Sequence, residues 1–271
     1  MNVRPRIMGI INTTPDSFSD GGRLATVEAA VDQAMRMVEQ GADVLDIGGE
    51  STRPGAEPVG ADEEIARTAP VIEAIRARWD GPISIDTLKP QTARAAVQAG
   101  ATMWNDVSAL SFSPDSLATA ASLGCEVVLM HMKGEPRTMQ ADPRYDDVAA
   151  EVIAYLVERA DAAMAAGVSR DRIWLDPGIG FGKTVAHNLA LTTATDRLVA
   201  TGFRVLYAAS RKRTILSLDP TATDPLDRLG GSLALALEGA RRGAQMVRVH
   251  DVRETVQALK VQAALLDAAG R

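Results

Sequence analysis

Gln40-Gly41-Ala42-Asp43-Val44-Leu45-Asp46-Ile47-Gly48-Gly49-Glu50 reads as a helix ending, a short strand and a polar strand end, in that order. Helical apolar spacing runs over Val27–Gln40, and Gly41 stands where that helix must close in a left-handed residue. Val44–Glu50 follows as a β-rich run that ends in a carboxylate. The same unit recurs along the chain. Gly100-Ala101, Gly167-Val168 and Gly243-Ala244 repeat the closure. Further strands are predicted at Arg6–Asn12, Ile83–Asp86, Met103–Val107, Glu126–His131, Ile173–Asp176, Val205–Ser210 and Met246–His250, which makes eight. Helical spacing falls between them over Ala61–Arg78, Gln91–Ala99, Asp147–Ala166 and Leu226–Arg242. Alternating strands and helices pair in parallel through right-handed crossovers. Eight such units predict an α/β fold, a closed (β/α)8 TIM barrel, as one domain over residues 1–271.

Length and composition agree. A barrel of this kind needs roughly 250 residues, and the chain has 271. Hydrophobic residues make up 46% and charged residues 24%, which suits a globular domain with a real core. No Gly-rich dinucleotide fingerprint follows the first strand, which disfavours an open doubly wound sheet. Lys133–Asp146, with two prolines, reads as an extended loop after the fifth strand. The formal net charge of −6 argues against nucleic acid as a bulk electrostatic partner. It leaves room for a small anion bound by a local cation cluster. The single cysteine, Cys125, permits no internal disulfide, and the apolar run within Met1–Ile11 is too short for a signal-peptide core or a membrane span. A cytoplasmic protein without membrane partners is expected.

The informative pattern lies at the strand ends. Asn12, Glu50, Asp86, Asn105 with Asp106, His131, Asp176, Ser210 to Lys212, and Arg248 with His250 and Asp251 fall at successive ends. In a parallel barrel these ends share one rim, and that rim carries the active site. Its chemistry divides in two. Asp86, Asn105 and Asp176 offer acceptors for a flat heterocycle rich in N–H groups. Lys212, Arg248 and His250 offer cations in the quarter where barrels commonly hold phosphate. Other residues have plainer readings: His131 as a satisfied inner-rim histidine, His187 as a helix-start residue, Cys125 as a small core residue. Asp176 could also be a structural partner of Lys212. Asp176-Pro177-Gly178-Ile179-Gly180-Phe181-Gly182-Lys183 lacks the ending and spacing of a nucleotide phosphate loop, so ATP binding is rejected.

These segments together resemble the dihydropteroate synthases along nearly the whole chain. The resemblance rests on Asn12 to Gly22, Asp46 to Gly55, Ser84-Ile85-Asp86-Thr87, Asn105-Asp106-Val107, Met130-His131-Met132 with Thr138-Met139-Gln140, Asp176 to Lys183, Ser210-Arg211-Lys212, Gly231-Ser232-Leu233 and Arg248-Val249-His250-Asp251. It implies condensation of 6-hydroxymethyl-7,8-dihydropterin diphosphate with para-aminobenzoate. Asn12 is then a ligand of the Mg²⁺ carried by the diphosphate, one neutral oxygen among waters and phosphate oxygens. Arg248 and His250 bind the diphosphate. Asp86, Asn105 and Asp176 bind the pterin, with Met130 and Phe181 in apolar contact and Lys212 on its carbonyl side. Asp86 and Lys212 are the residues assigned to catalysis. Residues 13–22 and 51–55 fold over the diphosphate and build the para-aminobenzoate pocket, with Phe18, Asp20, Thr52, Arg53 and Pro54 as the contact positions. A homodimer through outer helices is also implied.

Chemically, diphosphate departs once its charge is neutralised, and the aromatic amine attacks the cationic methylene left on the pterin. Two other classes share this barrel: a pterin-binding methyltransferase module that serves a corrinoid partner, and a non-catalytic paralogue. Both loop signatures are present, which disfavours the former. The chain departs from the family pattern at Thr13, Trp104 and Arg213. Arg213 stands where serine is common; it either receives the carboxylate of para-aminobenzoate or points to solvent.

Overall fold

The structure, a computed structural model, describes residues 4–13, 22–50, 58–134 and 139–270. Eight parallel strands close into a barrel in chain order: β1 (Arg6–Asn12), β2 (Val44–Gly48), β3 (Ile83–Asp86), β4 (Met103–Asp106), β5 (Glu126–Met130), β6 (Ile173–Asp176), β7 (Arg204–Tyr207) and β8 (Met246–Val249). The ring closes where β1 pairs with β8, Met8 opposite Arg248. The predicted bounds of β1, β3 and β6 hold. The others end one to three residues earlier than expected, because the chain leaves the sheet at its polar end and no neighbouring strand remains to pair.

The outer layer comprises α1 (Gly22–Glu39), α2 (Ala61–Arg76), α3 (Pro90–Gln98), α4 (Ser116–Leu123), α5 (Val148–Ala165), α6 (Val185–Thr193), α7 (Thr195–Val199), α8 (Arg213–Leu218), α9 (Leu229–Arg241) and α10 (Val252–Ala268). The helix expected over Leu226–Arg242 is split. Pro225–Arg228 is a 3-10 turn started by the Asp224 carboxylate, which accepts from the Leu226 N–H at 2.8 Å, and α9 begins after it. All four predicted helix-closing glycines, Gly41, Gly100, Gly167 and Gly243, have φ between +95° and +115°, where a Cβ would be strained.

Strand side chains alternate with period two, and here alternation builds three inward layers. At the floor, Glu126 pairs with Arg6 and Arg204 and accepts from the Trp174 indole. Further along the strands, from all but β3, lies an apolar plug: Met8, Val44, Met103, Val128, Trp174, Leu206 and Met246. Two residues further again lie Asp46, Asn105, Met130, Asp176, Ala208 and Arg248. The outward residues, among them Ile7, Ile11, Leu45, Ile47, Ile83, Ile85, Val127, Leu175, Val205 and Val247, pack in one continuous core beneath the helices. The plug therefore supports a polar layer and closes it from below.

Candidate active site

The top layer opens into a cleft lined by Asp86, Asn105, Val107, Met130, Asp176, Gly178, Phe181, Ala208, Lys212 and Arg248. Asp86, Asn105, Met130, Asp176, Phe181, Lys212 and Arg248 were all expected there, and the barrel brings them together from β3, β4, β5, β6, β8 and the loops after β6 and β7. Val107, Gly178 and Ala208 complete the lining.

Arg248 is held by carboxylates. Its Nε donates to Asp46 Oδ2 at 2.6 Å and its Nη2 to Asp86 Oδ2 at 2.7 Å. Burial acts against this cation, but Asp46 and Asp86 outweigh it and keep the guanidinium above its ordinary pKa. Asp46 is fully buried, also accepts from Asn105 Nδ2 at 3.3 Å, and its Oδ1 has no hydrogen-bond partner among the described residues. Asp46 opens one of the family motifs but is not among the residues expected at the site. A carboxylate two residues above Val44 in an otherwise apolar strand was the available signal.

Burial raises Asp86 to about 7, with Arg248 opposing and Asp46 reinforcing the rise. Burial also raises Asp176 to about 6, against the Gly178 N–H, which donates to its Oδ1 at 2.7 Å. No ion pair joins Asp176 to Lys212. The Lys212 Nζ instead sits 4.1 Å from the centre of the Phe181 ring, and burial, then Arg248, lowers it to about 8. Two carboxylates and an ammonium thus share a desolvated cleft where each is costly alone. A planar ligand with several N–H groups and a carbonyl would satisfy all three.

The remaining expected residues lie around this cleft. Asn12 ends β1 opposite Gly48 of β2. A Cβ on Gly48 would lie 3.9 Å from Asn12 Oδ1 and 3.9 Å from Asp86 Oδ2, so its absence leaves an open cradle between an amide oxygen and a carboxylate. Among the described residues no group of three His, Cys, Asp or Glu side chains could hold a metal. The donor set suits a hard cation that keeps water or phosphate oxygens for most positions. His250 Nδ1 lies 3.0 Å from Ser210 Oγ, next to β8. Arg213 is the first residue of α8, is exposed, and does not line the cleft. Phe18, Asp20, Thr52, Arg53, Pro54 and most of the two loop signatures lie outside the described residues.

Several polar strand ends serve the scaffold. Asp106 accepts from Ser108 N, Ser108 Oγ and Leu110 N and holds Ala109 and Leu110 at φ of 52° and 60°. Glu50 bonds Lys89. Arg211, itself at φ 58°, forms a two-point pair with Asp251. His187 completes a capping box with Thr184, and Cys125 is buried, as read from the sequence.

The comparisons with known proteins agree with this geometry. The family described as pterin binding enzyme matches residues 8–250. The dihydropteroate synthase of Escherichia coli (strain K12) is 46% identical over 264 residues, 97% of this chain and 93% of that protein. A Xanthomonas albilineans dihydropteroate synthase solved with 4-aminobenzoic acid superposes with a TM-score of 0.91 at 52% identity, covering 97% of this chain and 93% of that one. Another structure of dihydropteroate synthase from that organism, in complex with 7,8-dihydropteroate, gives a TM-score of 0.88 at 49% identity, covering 98% and 95%.

Proposed function

The chain belongs to the dihydropteroate synthases within the pterin-binding enzymes, and from that premise we propose how its own residues divide the reaction. The enzyme is a transferase of folate biosynthesis. It condenses 6-hydroxymethyl-7,8-dihydropterin diphosphate with para-aminobenzoate, giving 7,8-dihydropteroate and diphosphate.

One observation carries the assignment of roles: Asp86, Asn105 and Asp176 converge on one cleft with Lys212 above the Phe181 ring. The carboxylates and amide accept from the aminopyrimidinone N–H groups. Lys212 donates to the ring carbonyl, and Met130 and Phe181 cover the faces. The diphosphate lies toward β1 and β8, beside Asn12, Arg248 and His250. A guanidinium has five N–H donors, and the contacts of Arg248 to Asp46 and Asp86 use two of them, so it can hold Asp86 in place and still donate to the leaving group. Asn12 would offer its amide oxygen to Mg²⁺, and the ion would supply charge neutralisation for the departing diphosphate. Loss of diphosphate leaves a cationic methylene delocalised into the pterin, and the carboxylates of Asp86 and Asp176 stabilise it. The aromatic amine then attacks, with no covalent enzyme intermediate. The apolar plug beneath the cleft excludes water from below, and water would otherwise trap the cation.

Arg213, next in the chain to Lys212, takes the carboxylate of para-aminobenzoate, together with Thr52 and Arg53. Exposed Val261 and Leu265, one helical turn apart on α10, support a homodimer through outer helices. Among the described residues no helix is long and apolar enough to cross a membrane. The deciding assay couples diphosphate release to a colour reaction, with dihydropterin diphosphate, Mg²⁺ and para-aminobenzoate all present. Release that requires all three is expected. Release that ignores para-aminobenzoate, or none at all, would defeat the reading.

A further inference from the structure

Lys183 is 3% exposed and, among the described residues, has no carboxylate within ion-pair distance. Its ammonium donates instead to three acceptors: His131 Nδ1 at 2.9 Å, the His131 carbonyl at 3.2 Å and the Phe181 carbonyl at 2.9 Å. A protonated lysine has three donors and no acceptor, so the match is complete only for the ammonium and for a His131 ring whose Nδ1 carries no proton. Burial, and then Lys183 itself, lowers His131 to about 3, which keeps the ring neutral. Burial lowers Lys183 to about 7. Asp176 favours this charge without bonding it, and all three hydrogen bonds go to neutral acceptors, which is an expensive way to hold a loop. Its location gives the reason.

The loop between β6 and α6 lies directly on the chain leaving β5. A side chain on Gly178 or Gly182 would run into the carbonyls of His131 and Lys133. Other side chains fasten the same loop: Tyr145 OH to the Gly182 carbonyl at 2.8 Å, Gln140 Nε2 to the Gly180 carbonyl at 2.5 Å, and Asn188 Oδ1 from the Gly180 N–H at 2.8 Å. Lys183 differs from these because its acceptors flank the two apolar walls of the cleft. Phe181 is one wall, and Met130, directly before His131, is another. We propose that Lys183 is a positioning residue for pterin recognition, which fixes Phe181 relative to Met130 by clamping the loop after β6 to the exit of β5 through His131. The ring of Phe181 in turn supports the Lys212 ammonium, so a slack clamp would disturb the pterin's apolar contact and its carbonyl donor together. The para-aminobenzoate side of the cleft would be untouched.

This inference rests on the cleft being the pterin site, and the experiment separates the two ideas. Lys183→Met, His131→Leu and His131→Gln are compared with Asp176→Asn as a control. Steady-state kinetics are run on both substrates, with calorimetric binding of 6-hydroxymethylpterin, which lacks diphosphate. Lys183→Met and His131→Leu are expected to raise the KM for the pterin substrate and the Kd for 6-hydroxymethylpterin about tenfold, an effect equivalent to about 1.4 kcal/mol. The KM for para-aminobenzoate should change less than about twofold. His131→Gln keeps an acceptor for Lys183 and should restore most of the loss. A purely structural clamp would lower Tm and the fraction of active enzyme while leaving both KM values alone, which overturns the inference. If Lys183→Met does not fold, the His131→Leu and His131→Gln pair still decides, since equal pterin affinity in the two also overturns it. Normal pterin binding by Asp176→Asn would instead overturn the reading of the cleft.

Discussion

Asp176→Asn tests the electrostatics of the cleft without changing its shape. Asp176 is 3% exposed, so solvent screens its charge little. Burial raises its pKa from an ordinary 3.8 to about 6. A carboxyl group with a folded pKa above its unfolded one stabilises the fold fully below the unfolded value, and that stability is lost as pH rises through the folded value. The full span corresponds to about 3 kcal/mol, of which about 2 kcal/mol falls between pH 4.5 and pH 8. Asparagine cannot ionise, so its contribution is flat. The Tm of the variant relative to wild type should therefore rise by about 4 °C between pH 4.5 and pH 8, at about 2 °C per kcal/mol for a domain of this size. The Gly178 N–H keeps an oxygen to donate to, but the new amide N–H groups face Lys212, and an unpaired buried donor costs about 1–3 kcal/mol. That cost is independent of pH and cancels in the difference. Thermal unfolding of both proteins at the two pH values, without ligand, gives the number. The variant should also lose pterin affinity, trading function for stability at neutral pH. A difference in Tm that stays constant across pH, or moves the other way, would show that the ionised carboxylate is well solvated in place and that the reasoning is wrong.

Asp106→Asn should destabilise the protein by about 2–3 kcal/mol, because an amide NH2 would face one of the backbone N–H groups that hold the left-handed turn at Ala109 and Leu110; a loss below about 1 kcal/mol in urea unfolding would assign that turn to other contacts. Arg213→Ala should raise the KM for para-aminobenzoate about fivefold, as for one exposed charge-assisted contact of about 1 kcal/mol, and leave the pterin KM alone. Arg213→Ser should restore much of the loss, and two unchanged KM values would remove Arg213 from the site.

The eight strands were legible because alternation of short β-rich runs, helical spacing and closing glycines is a local signal repeated at each unit. Their C-terminal bounds were less legible. Whether Glu50, His131 or Ser210 continues a strand depends on a neighbour to pair with, and pairing is not local. The cleft residues Asp86, Asn105, Asp176, Lys212 and Arg248 could be named from their place at strand ends and from family motifs. Position at a strand end alone does not separate them from the equally polar Glu50, Asp106, His131 and Asp251, which the barrel turns toward Lys89, the turn after β4, Lys183 and Arg211. Parity within the barrel separates Asp106, His131 and Asp251 from the inward residues, whereas Glu50 lies beyond the last paired residue of β2. Asp46, Asn105, Asp176 and Arg248 each stand two residues above a plug residue and so face inward. Parity becomes meaningful only once eight strands share one register around a closed ring. The pairing of Arg248 with both Asp46 and Asp86 joins residues 202 and 162 positions apart. No spacing rule reaches that far, because the contact is made by closure of β8 onto β1 and not by the chain between them.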